Sequence, residues 1–599
     1  MSFKVFADIS DVTASNVLNE IKSKLNSNKP EPSSSNIVYH TLESKMETFE
    51  KNLPVVEIKQ SHFLTGTLRI KQSGYYKLTE NIVFNPNPST WDGVKLVGND
   101  WNPTPAQTGG GPTALYPIMP FGPYHLGFFA AIAVEANNVI IDLNGFSISQ
   151  SVEHYLQQRF FSLIELASSP FIPTQGPSNF GTTVFFPQYV KVKNGNLGLS
   201  SHQGIHGNGM KNIILEDLNI FDYEQAGIGL NGGENMIIRN VCIGKNSRNV
   251  FVSAAYSQSR FVRSFLRTVI NGGDPSITIQ GISKTGSQIL SELVTEMDSV
   301  YKDVIIDKVV PTSTLFKNES LILDGSVYGL LLNVMGVAVN GFLQSLNNTT
   351  GNKNIYIQNL NVYNLDSAPV EVIGLSTDDV SQTYGLPAQK GPVGDVFRIL
   401  DVSDPNTYYI PDVLSNAQCY LSKYGHASVD SSIYDTWIVT ANIPLGPLIT
   451  DNYFICGGDS MAHVMKGNIG VFLSGTQDLE MYNVVVKNII NRGKLGEVDK
   501  CPPNTPVYDG NRTRGIAVIV NKNLYIKGLQ VDTVKSKTAD AIGIDFIGST
   551  DKVTIENFNI MNIEQGDVLD GGAHPNVSTD CHLFNNKQNV SQLTLTPVL

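Results

Sequence analysis

The feature that most constrains this chain is a repeat of 23 residues near its middle. Three similar segments, QYVKVKNGNLGL, KNIILEDLNIFD and ENMIIRNVCIGK, begin at Gln188, Lys211 and Glu234. In each of them apolar residues alternate for four or five positions and then give way to Asn, Asp or Gly. Such short alternation indicates brief strands joined by tight turns. A fixed period of this length is typical of a solenoid, here a parallel β-helix.

Alignment of the three segments predicts which side chains stack on one another. Val192, Leu215 and Ile238 share one phase. If each segment is one coil, neighbouring coils lie roughly 4.8 Å apart and these residues form a buried aliphatic stack. The predicted core is therefore a set of such stacks running through the solenoid.

Two polar ladders accompany the aliphatic stacks in this alignment. They are Lys193, Glu216 and Arg239 in the first, and Asn194, Asp217 and Asn240 in the second. The first is expected to face solvent with alternating charge, which is favourable between neighbouring strands. The second is expected at a turn, where short polar side chains tolerate unusual backbone angles. Both ladders are interpreted as structural.

The same phrase recurs along the chain and carries a resemblance. It is found at 355–362, 524–531 and 553–560, with a looser copy, NNVIIDLNGFSI, around Val139. These phrases resemble the pectin-lyase-like superfamily, over roughly Gly66 to Gln565, which implies a right-handed parallel β-helix. That superfamily includes polysaccharide lyases, glycoside hydrolases, phage tailspikes and inert virion proteins, so the resemblance implies no single function. The Asn-rich chain also resembles uncharacterised β-helix proteins of large DNA viruses.

The predicted fold is all-β, with a helical N-terminal extension and with loop and helix insertions. Its divisions are a helical extension and linker at 1–60, a cap with a long Pro/Gly-rich loop at 61–136, the β-helix at 137–565 with insertions at about 257–311 and 376–463, and a C-terminal tail at 566–599. The extension is expected to attach the protein to a partner, because the linker NKPEPSSSN separates it from the repeats.

Composition argues against several classes of protein. Asp and Glu number 54 against 42 Lys and Arg, giving a net charge of −12 without a basic cluster, so nucleic acid is not an expected partner. The five cysteines form no CxxC pair, and neither a metal nor a cofactor is expected. No apolar run reaches the 18 residues of a membrane span, and the start of the sequence does not resemble a signal peptide. The compartment is left open, with a virion as one possibility from the resemblance.

Glycoside hydrolysis requires a pair of carboxylates. The catalytic candidates are therefore carboxylates at positions of the same coil, or of neighbouring coils, that would bring them close together. Asp222 and Glu224 lie two residues apart, and His206 lies one coil earlier. These three are the catalytic candidates, and His202 and Asn231 are the candidates for substrate binding. Gly229, the counterpart of His206 one coil on, is expected to leave a hollow beside the imidazole ring.

Each candidate also has a structural interpretation. Asp222 and Glu224 precede a turn, where acidic side chains commonly cap the chain, and His206 lies in a Gly-rich turn. A second carboxylate cluster lies at 377–379 (TDD), with His426 or His463 as distant partners. The order of these motifs differs from that of polygalacturonases, in which the Gly-His-Gly follows the aspartates.

The sequence therefore favours a structural or glycan-binding β-helix component of a larger assembly, such as a virion. The alternative is a polysaccharide-degrading hydrolase or lyase. The expected partners are polysaccharides or other proteins of an assembly, and oligomerisation is left open. A sheet face that gathers carboxylates and exposed aromatic rings would distinguish carbohydrate recognition from a purely structural role.

Overall fold

The structure is a computed structural model. It describes residues 36–86, 88, 90–97, 130–157, 161–167, 185–223, 226–244, 274, 276–279, 282–309, 328–333, 335–336, 338–339, 342–343, 349–367, 398–401, 408–409, 453–456, 468–491, 513–536, 541–547, 549–565 and 582–598. The chain divides into two compact units, Met1–Lys45 and Met46–Leu599. In the first unit the described residues are the opening turns of a helix, and the second unit contains the sheets described below.

Most of the described strands belong to two large sheets in which every pair of neighbours is parallel. Sheet A contains Val55–Ile58, Gly74–Leu78, Ile82–Phe84, Val139–Asp142, Ser147–Gln150, Gln188–Ser200, Lys211–Tyr223, Glu234–Gly244, Asn352–Ser367, Thr476–Asn491, Lys522–Ser536, Val553–Gln565 and Leu593–Pro597. Sheet B contains Leu68–Ile70, Ala130–Val134, Ser162–Leu166, Gln203–Asn208, Ala226–Asn231, Tyr328–Asn333, Ile469–Ser474, Thr513–Ile519, Ala541–Phe546 and His582–Asn585. Along the chain the strands alternate between the two sheets, which is the path of a right-handed parallel β-helix and confirms the predicted fold class.

The smaller elements lie between these coils. The helices are Asn36–Asn52, Val152–Gln157 and Gly286–Tyr301, the last followed by a π-helical stretch, Lys302–Asp307, and the 3₁₀ turns are Gln60–Phe63 and Lys587–Asn589. Short antiparallel strands are Thr90–Trp91 with Leu96–Val97, Ser276–Ile279 with Ile282–Thr285, Met335–Gly336 with Thr349–Thr350, Ala338–Val339 with Phe342–Leu343, and Arg398–Asp401 with Tyr408–Tyr409 and Tyr453–Cys456. Helix Gly286–Tyr301 lies within the predicted insertion at 257–311 and starts with a capping box between Thr285 and Gln288.

The predicted register of the repeats is the observed one. Val192 pairs with Leu215, and Leu215 pairs with Ile238, in adjacent parallel strands of sheet A. All three side chains are fully buried and belong to one hydrophobic cluster that also receives the inward residues of sheet B. The core therefore lies between the sheets, and each coil covers the apolar residues of the next.

The Asn ladder lies at a corner of each coil, as expected. Asn194, Asp217 and Asn240 have φ values of 60°, 54° and 52°, in the left-handed region. The Asn240 amide donates to Asp217 Oδ1 at 3.0 Å, and the Asn359 amide of the following coil donates to Asn240 Oδ1 at 2.8 Å. Asn and Asp tolerate this backbone conformation better than other non-glycine residues. The ladder therefore bends these strands of sheet A at the same place, and its hydrogen bonds join the bends of Asp217, Asn240 and Asn359.

The charge ladder does not face solvent as predicted. The Arg239 guanidinium bonds the Glu216 carboxylate, with 2.7 Å between Nε and Oε2, but Glu216 is only 6% exposed. Lys193 Nζ lies 3.0 Å from Glu50 Oε1, near the end of helix Asn36–Asn52, and Lys191 Nζ lies 2.7 Å from the same oxygen. The prediction was wrong because alternation of charge within the repeats carries no information about a segment that folds back from elsewhere in the chain.

Apolar residues on the outer side of sheet A, in the same repeats, are also buried. Ile214 and Ile237 pair with each other at positions that alternate with core residues, yet each is 1% exposed. The ring of Phe49 makes an edge contact with that of Tyr189, at 6.1 Å between centroids. Burial of such residues is favourable because it removes apolar surface from water.

The coils extend beyond the predicted limits at both ends. Val55–Ile58, within the predicted extension, pairs in parallel with Gly74–Leu78, and Ile58 is 1% exposed. Leu593–Pro597, within the predicted tail, pairs with Val553–Gln565. Both strands lie outside the regular repeats, so the period could not reveal them. Residues 1–35, which hold the start of the predicted extension and all but the last residue of the linker NKPEPSSSN, lie outside the described residues. Within the part of the chain that is described, no helix is long and apolar enough to cross a membrane.

Replacement of Leu215 by alanine tests the stacking directly. We expect Leu215→Ala to lower the free energy of unfolding by about 2–5 kcal/mol, because it leaves a cavity in a fully buried stack. Leu64, which is 63% exposed, provides the matched control, and Leu64→Ala should change the stability little. Chemical denaturation of both variants measures the difference, and equal effects would contradict the stacked core.

The ion pairs of Glu50 predict an acid-sensitive attachment of its helix. Burial raises the pKa of Glu50, but hydrogen bonds from Lys191 and Lys193 and their positive charges outweigh burial, and the net pKa is lowered. A lowered pKa gives stability that is present above about pH 4.3, the unfolded value, and is lost as the pH falls through the folded value. We expect Glu50→Gln to melt at a lower temperature than wild type at pH 7, and this difference to shrink as the pH falls through the folded pKa of Glu50. The control Glu57→Gln, at an exposed ion pair with Lys59, should have little effect over the same pH range.

Candidate functional site

A carboxylate and an imidazole pair on the outer side of sheet B. Glu165 and His206 are directly opposite in adjacent parallel strands, while their chain neighbours Ile164 and Ile205 lie in the core. Since side chains alternate along a strand, Glu165 and His206 project away from the core. His206 Nδ1 lies 2.9 Å from Glu165 Oε1 and 2.8 Å from Oε2.

The other ring nitrogen of His206 faces an amide. Asn231 Nδ2 lies 3.2 Å from His206 Nε2 and also donates to Asn208 Oδ1 at 2.8 Å. Ser162 donates its hydroxyl to Glu165 Oε2 at 2.9 Å. This pattern fits a neutral imidazole that donates from Nδ1 to the carboxylate and accepts at Nε2. A carboxylate that orients an imidazole in this way is one arrangement from which histidine acts as a general base.

This pair is buried. Glu165 is 1% exposed and His206 is 5% exposed. A buried carboxylate is costly unless hydrogen bonds satisfy it, and the bonds from His206 and Ser162 do so. A Cβ atom at Gly229, opposite His206, would lie 3.0 Å from Nε2 of Gln203. The expected hollow beside the imidazole is therefore filled by a glutamine side chain.

Among the other predicted site residues, Asp222 belongs to a different sheet from this pair. Asp222 lies in sheet A, on strand Lys211–Tyr223, and has a φ of 53° at a corner of its coil, whereas His206 belongs to sheet B. Glu224, the TDD cluster at 377–379 and its distant histidines lie outside the described residues. His202 is 6% exposed, and its carbonyl accepts the backbone N–H of Ala226 at 3.2 Å.

Of the predicted site residues, His206 and Asn231 are therefore brought together, and the carboxylate beside them is Glu165. Glu165 could not be identified from the repeats, because it lies 41 residues before its histidine and the period of the repeats is 23. Among the described residues, no group of three or more His, Cys, Asp or Glu side chains is arranged to hold a metal ion.

A second feature, on the outer side of sheet A, is a row of partly exposed aromatic rings that we call the tyrosine ladder: Tyr356, Tyr482 and Tyr525. The three lie on successive strands of the sheet. Ring centroids are 5.5 Å apart between Tyr356 and Tyr482 and 5.7 Å apart between Tyr482 and Tyr525, with tilts of 38° and 59°. The neighbours in sequence, such as Ile357 and Met481, are fully buried, so the rings project outward from a rigid sheet.

Carboxylates hold two of the ladder hydroxyls. Tyr482 donates to Glu480 Oε2 at 2.9 Å, and Tyr525 donates to Glu556 Oε2 at 2.9 Å. The pKa of Tyr482 is raised, first by burial and then by its bond to Glu480. The same causes, with Glu556 as the partner, raise the pKa of Tyr525 to about 12. Both hydroxyls therefore stay protonated at neutral pH, with their rings held in place.

Comparisons with known proteins find likeness only to solved structures. No family model matches the chain, and neither does any curated protein sequence. The surface adhesin PfbA of Streptococcus pneumoniae is 10% identical with a TM-score of 0.27, covering 93% of this chain and 89% of its own. The periplasmic alginate epimerase AlgG is 8% identical with a TM-score of 0.28, covering 100% of both chains.

A catalytic domain of a GH87 α-1,3-glucanase in complex with nigerose is 9% identical with a TM-score of 0.25, covering 93% of this chain and 66% of its own. At such identities and TM-scores the three likenesses carry no argument about function. The fold assignment accordingly rests on the strand order of the two sheets.

A double-mutant cycle tests the coupling of Glu165 to His206. We expect Glu165→Ala and His206→Ala each to destabilise the protein, and the double variant to lose less than their sum, with a coupling of about 0.5–3 kcal/mol. The physical reason is that either single change leaves a buried polar group without its partner. Chemical denaturation measures all four proteins.

The control cycle combines Glu165→Ala with Lys211→Ala, which lies in sheet A and has a side chain that is 50% exposed. Those two effects should add. Additive effects for Glu165 and His206 as well would show that the two side chains do not interact in solution.

Proposed function

We propose that this protein binds carbohydrate, and that the tyrosine ladder is the binding surface. The observation that supports the proposal is the combination of three adjacent, partly exposed aromatic rings with the carboxylates of Glu480 and Glu556. A sugar ring has an apolar face of C–H groups, which packs against an aromatic ring, and hydroxyls around its edge, which bond carboxylates. Sites of this kind combine aromatic contact area with a few fixed polar groups.

Rigidity favours the ladder as a binding surface. Each tyrosine directly follows a buried core residue, and two of the hydroxyls are held by hydrogen bonds. A surface that is already ordered loses little conformational entropy when a ligand binds. A rigid ladder can therefore bind a flexible polymer without rearrangement. A place for this surface in a larger assembly, or in a virion, rests on the sequence resemblance alone.

A second candidate function is cleavage of a polysaccharide at His206, either by hydrolysis or by the elimination reaction of a lyase. The favouring observation is the Glu165 carboxylate at 2.8 Å from Nδ1, which fixes the imidazole with Nε2 directed toward Asn231. The burial of both Glu165 and His206 places this candidate second, because a polymer would have to reach a group that is 5% exposed.

Tyr482, in the middle of the ladder, provides the decisive variant. We expect Tyr482→Ala to weaken binding to a polysaccharide at least tenfold, which corresponds to about 1.4 kcal/mol, because the central aromatic group of an interface commonly contributes more than this. Affinity electrophoresis on a panel of neutral and acidic polysaccharides, followed by calorimetry on any that bind, measures the loss.

Phe186 is the matched control, since it is 42% exposed and lies outside the ladder, and Phe186→Ala should bind as wild type does. Absence of binding to the whole panel, or equal binding by Tyr482→Ala, would refute the proposal. The same panel is assayed for depolymerisation by wild type and His206→Gln, and turnover that is lost in His206→Gln while Tyr482→Ala still cleaves would establish the second candidate instead.

A further inference from the structure

The charged groups around the tyrosine ladder restrict which carbohydrate it can accept. Glu480 pairs in register with Tyr356 on one side and with Tyr525 on the other. Two residues further along the strands, Lys527 pairs in register with Tyr482 on one side and with Glu556 on the other. The ladder therefore carries two carboxylates and one ammonium group among its rings.

From this arrangement, and resting on the proposed function, we infer that the tyrosine ladder takes an uncharged polysaccharide chain and discriminates against uronic-acid polymers. A polyuronate would bring its own carboxylates close to Glu480 and Glu556, and like charges in close contact repel each other. A polycation would be attracted by these carboxylates but would also meet the ammonium group of Lys527. Sugar hydroxyls, in contrast, can donate to the carboxylates and accept from the ammonium group.

The carboxylates beside the rings also place negative charge where a ligand would contact the ladder. Glu480 accepts the hydroxyl of Tyr482, and Glu556 accepts the hydroxyl of Tyr525. The raised pKa of Tyr525, caused by burial and by Glu556, is consistent with a negative potential at this position. An added carboxylate would increase that negative potential, whereas a neutral hydroxyl would not.

The direction of the ladder also suits a chain rather than a single sugar. The tyrosines follow one another across the strands, along the direction in which coils stack. Tyr356 and Tyr525 are two coils apart, roughly 10 Å at the usual spacing of strands. A ligand that contacts all three rings must extend over that length, so an oligosaccharide is expected to bind more tightly than a monosaccharide.

The test compares three soluble polymers, laminarin as a neutral glucan, polygalacturonate as a polyuronate and chitosan as a polycation. We expect the full chain to bind laminarin with an affinity that changes less than twofold between low and moderate salt, because no ion pairs form. Polygalacturonate should bind at least tenfold more weakly. The double variant Glu480→Gln with Glu556→Gln should lose that discrimination, since it removes the repelling charges and keeps similar side-chain volumes.

Two further variants separate the failure of this inference from the failure of the proposed function. Tyr482→Phe keeps the ring and should retain binding to laminarin, while Tyr482→Ala should lose it, with circular dichroism confirming that both are folded. Preferred binding of polygalacturonate or chitosan that depends on Tyr482 would overturn the inference but leave the carbohydrate-binding function in place. If none of the three polymers binds, or if Tyr482→Ala does not weaken the binding that is seen, both the inference and the proposed function are overturned.

Discussion

Everything in this structure depends on the stacking of side chains at equal positions of successive coils. A single coil cannot bury its own apolar residues, and the Leu215 side chain becomes inaccessible only because Val192 and Ile238 lie above and below it. In such a fold stability is mainly a sum over neighbouring coils. The outward surfaces are then free to vary, provided that each coil keeps its register with the next.

The asparagine ladders maintain that register. Asn194, Asp217 and Asn240 hold the left-handed bend of their coils, and the Asn240 amide bonds Asp217 of the preceding coil, so a coil shifted by one residue would lose both the bend and the bond. A one-residue shift would also turn inward residues outward. The amide and carboxyl side chains at the corners thus specify the same alignment as the aliphatic stacks.

The register could be predicted from the sequence because three coils share one length. Glu165 could not, since the coil that carries it has a different length and its contact with His206 spans 41 residues. The ion pairs of Glu50 were missed for a related reason: they join the repeats to a helix more than a hundred residues earlier, and no pattern within the repeats refers to that helix. The stacks themselves follow from local alternation, whereas the surfaces follow from contacts between distant segments.

The outer sides of the two sheets differ in what they make available. On sheet B the Glu165 and His206 pair is turned outward but buried, and its hydrogen bonds are satisfied within the protein. On sheet A the ladder around Tyr482 keeps part of its aromatic surface exposed, and carboxylates hold two of its hydroxyls. Partly exposed rings beside carboxylates suit contact with a carbohydrate better than a buried histidine does, and the proposed function therefore belongs to the ladder.

The alternation between sheets also separates two kinds of corner in the chain. Passage from sheet B to sheet A takes one residue between Ser474 and Thr476 and, at its longest among these strands, 21 residues between Leu166 and Gln188. Passage from sheet A to sheet B takes two residues between Tyr223 and Ala226 but about a hundred between 367 and 469. The corner that leads from sheet A to sheet B therefore accepts additional sequence without disturbing the stacks. New loops, epitopes or whole domains could therefore be grafted there, which makes this solenoid a scaffold with a defined insertion edge.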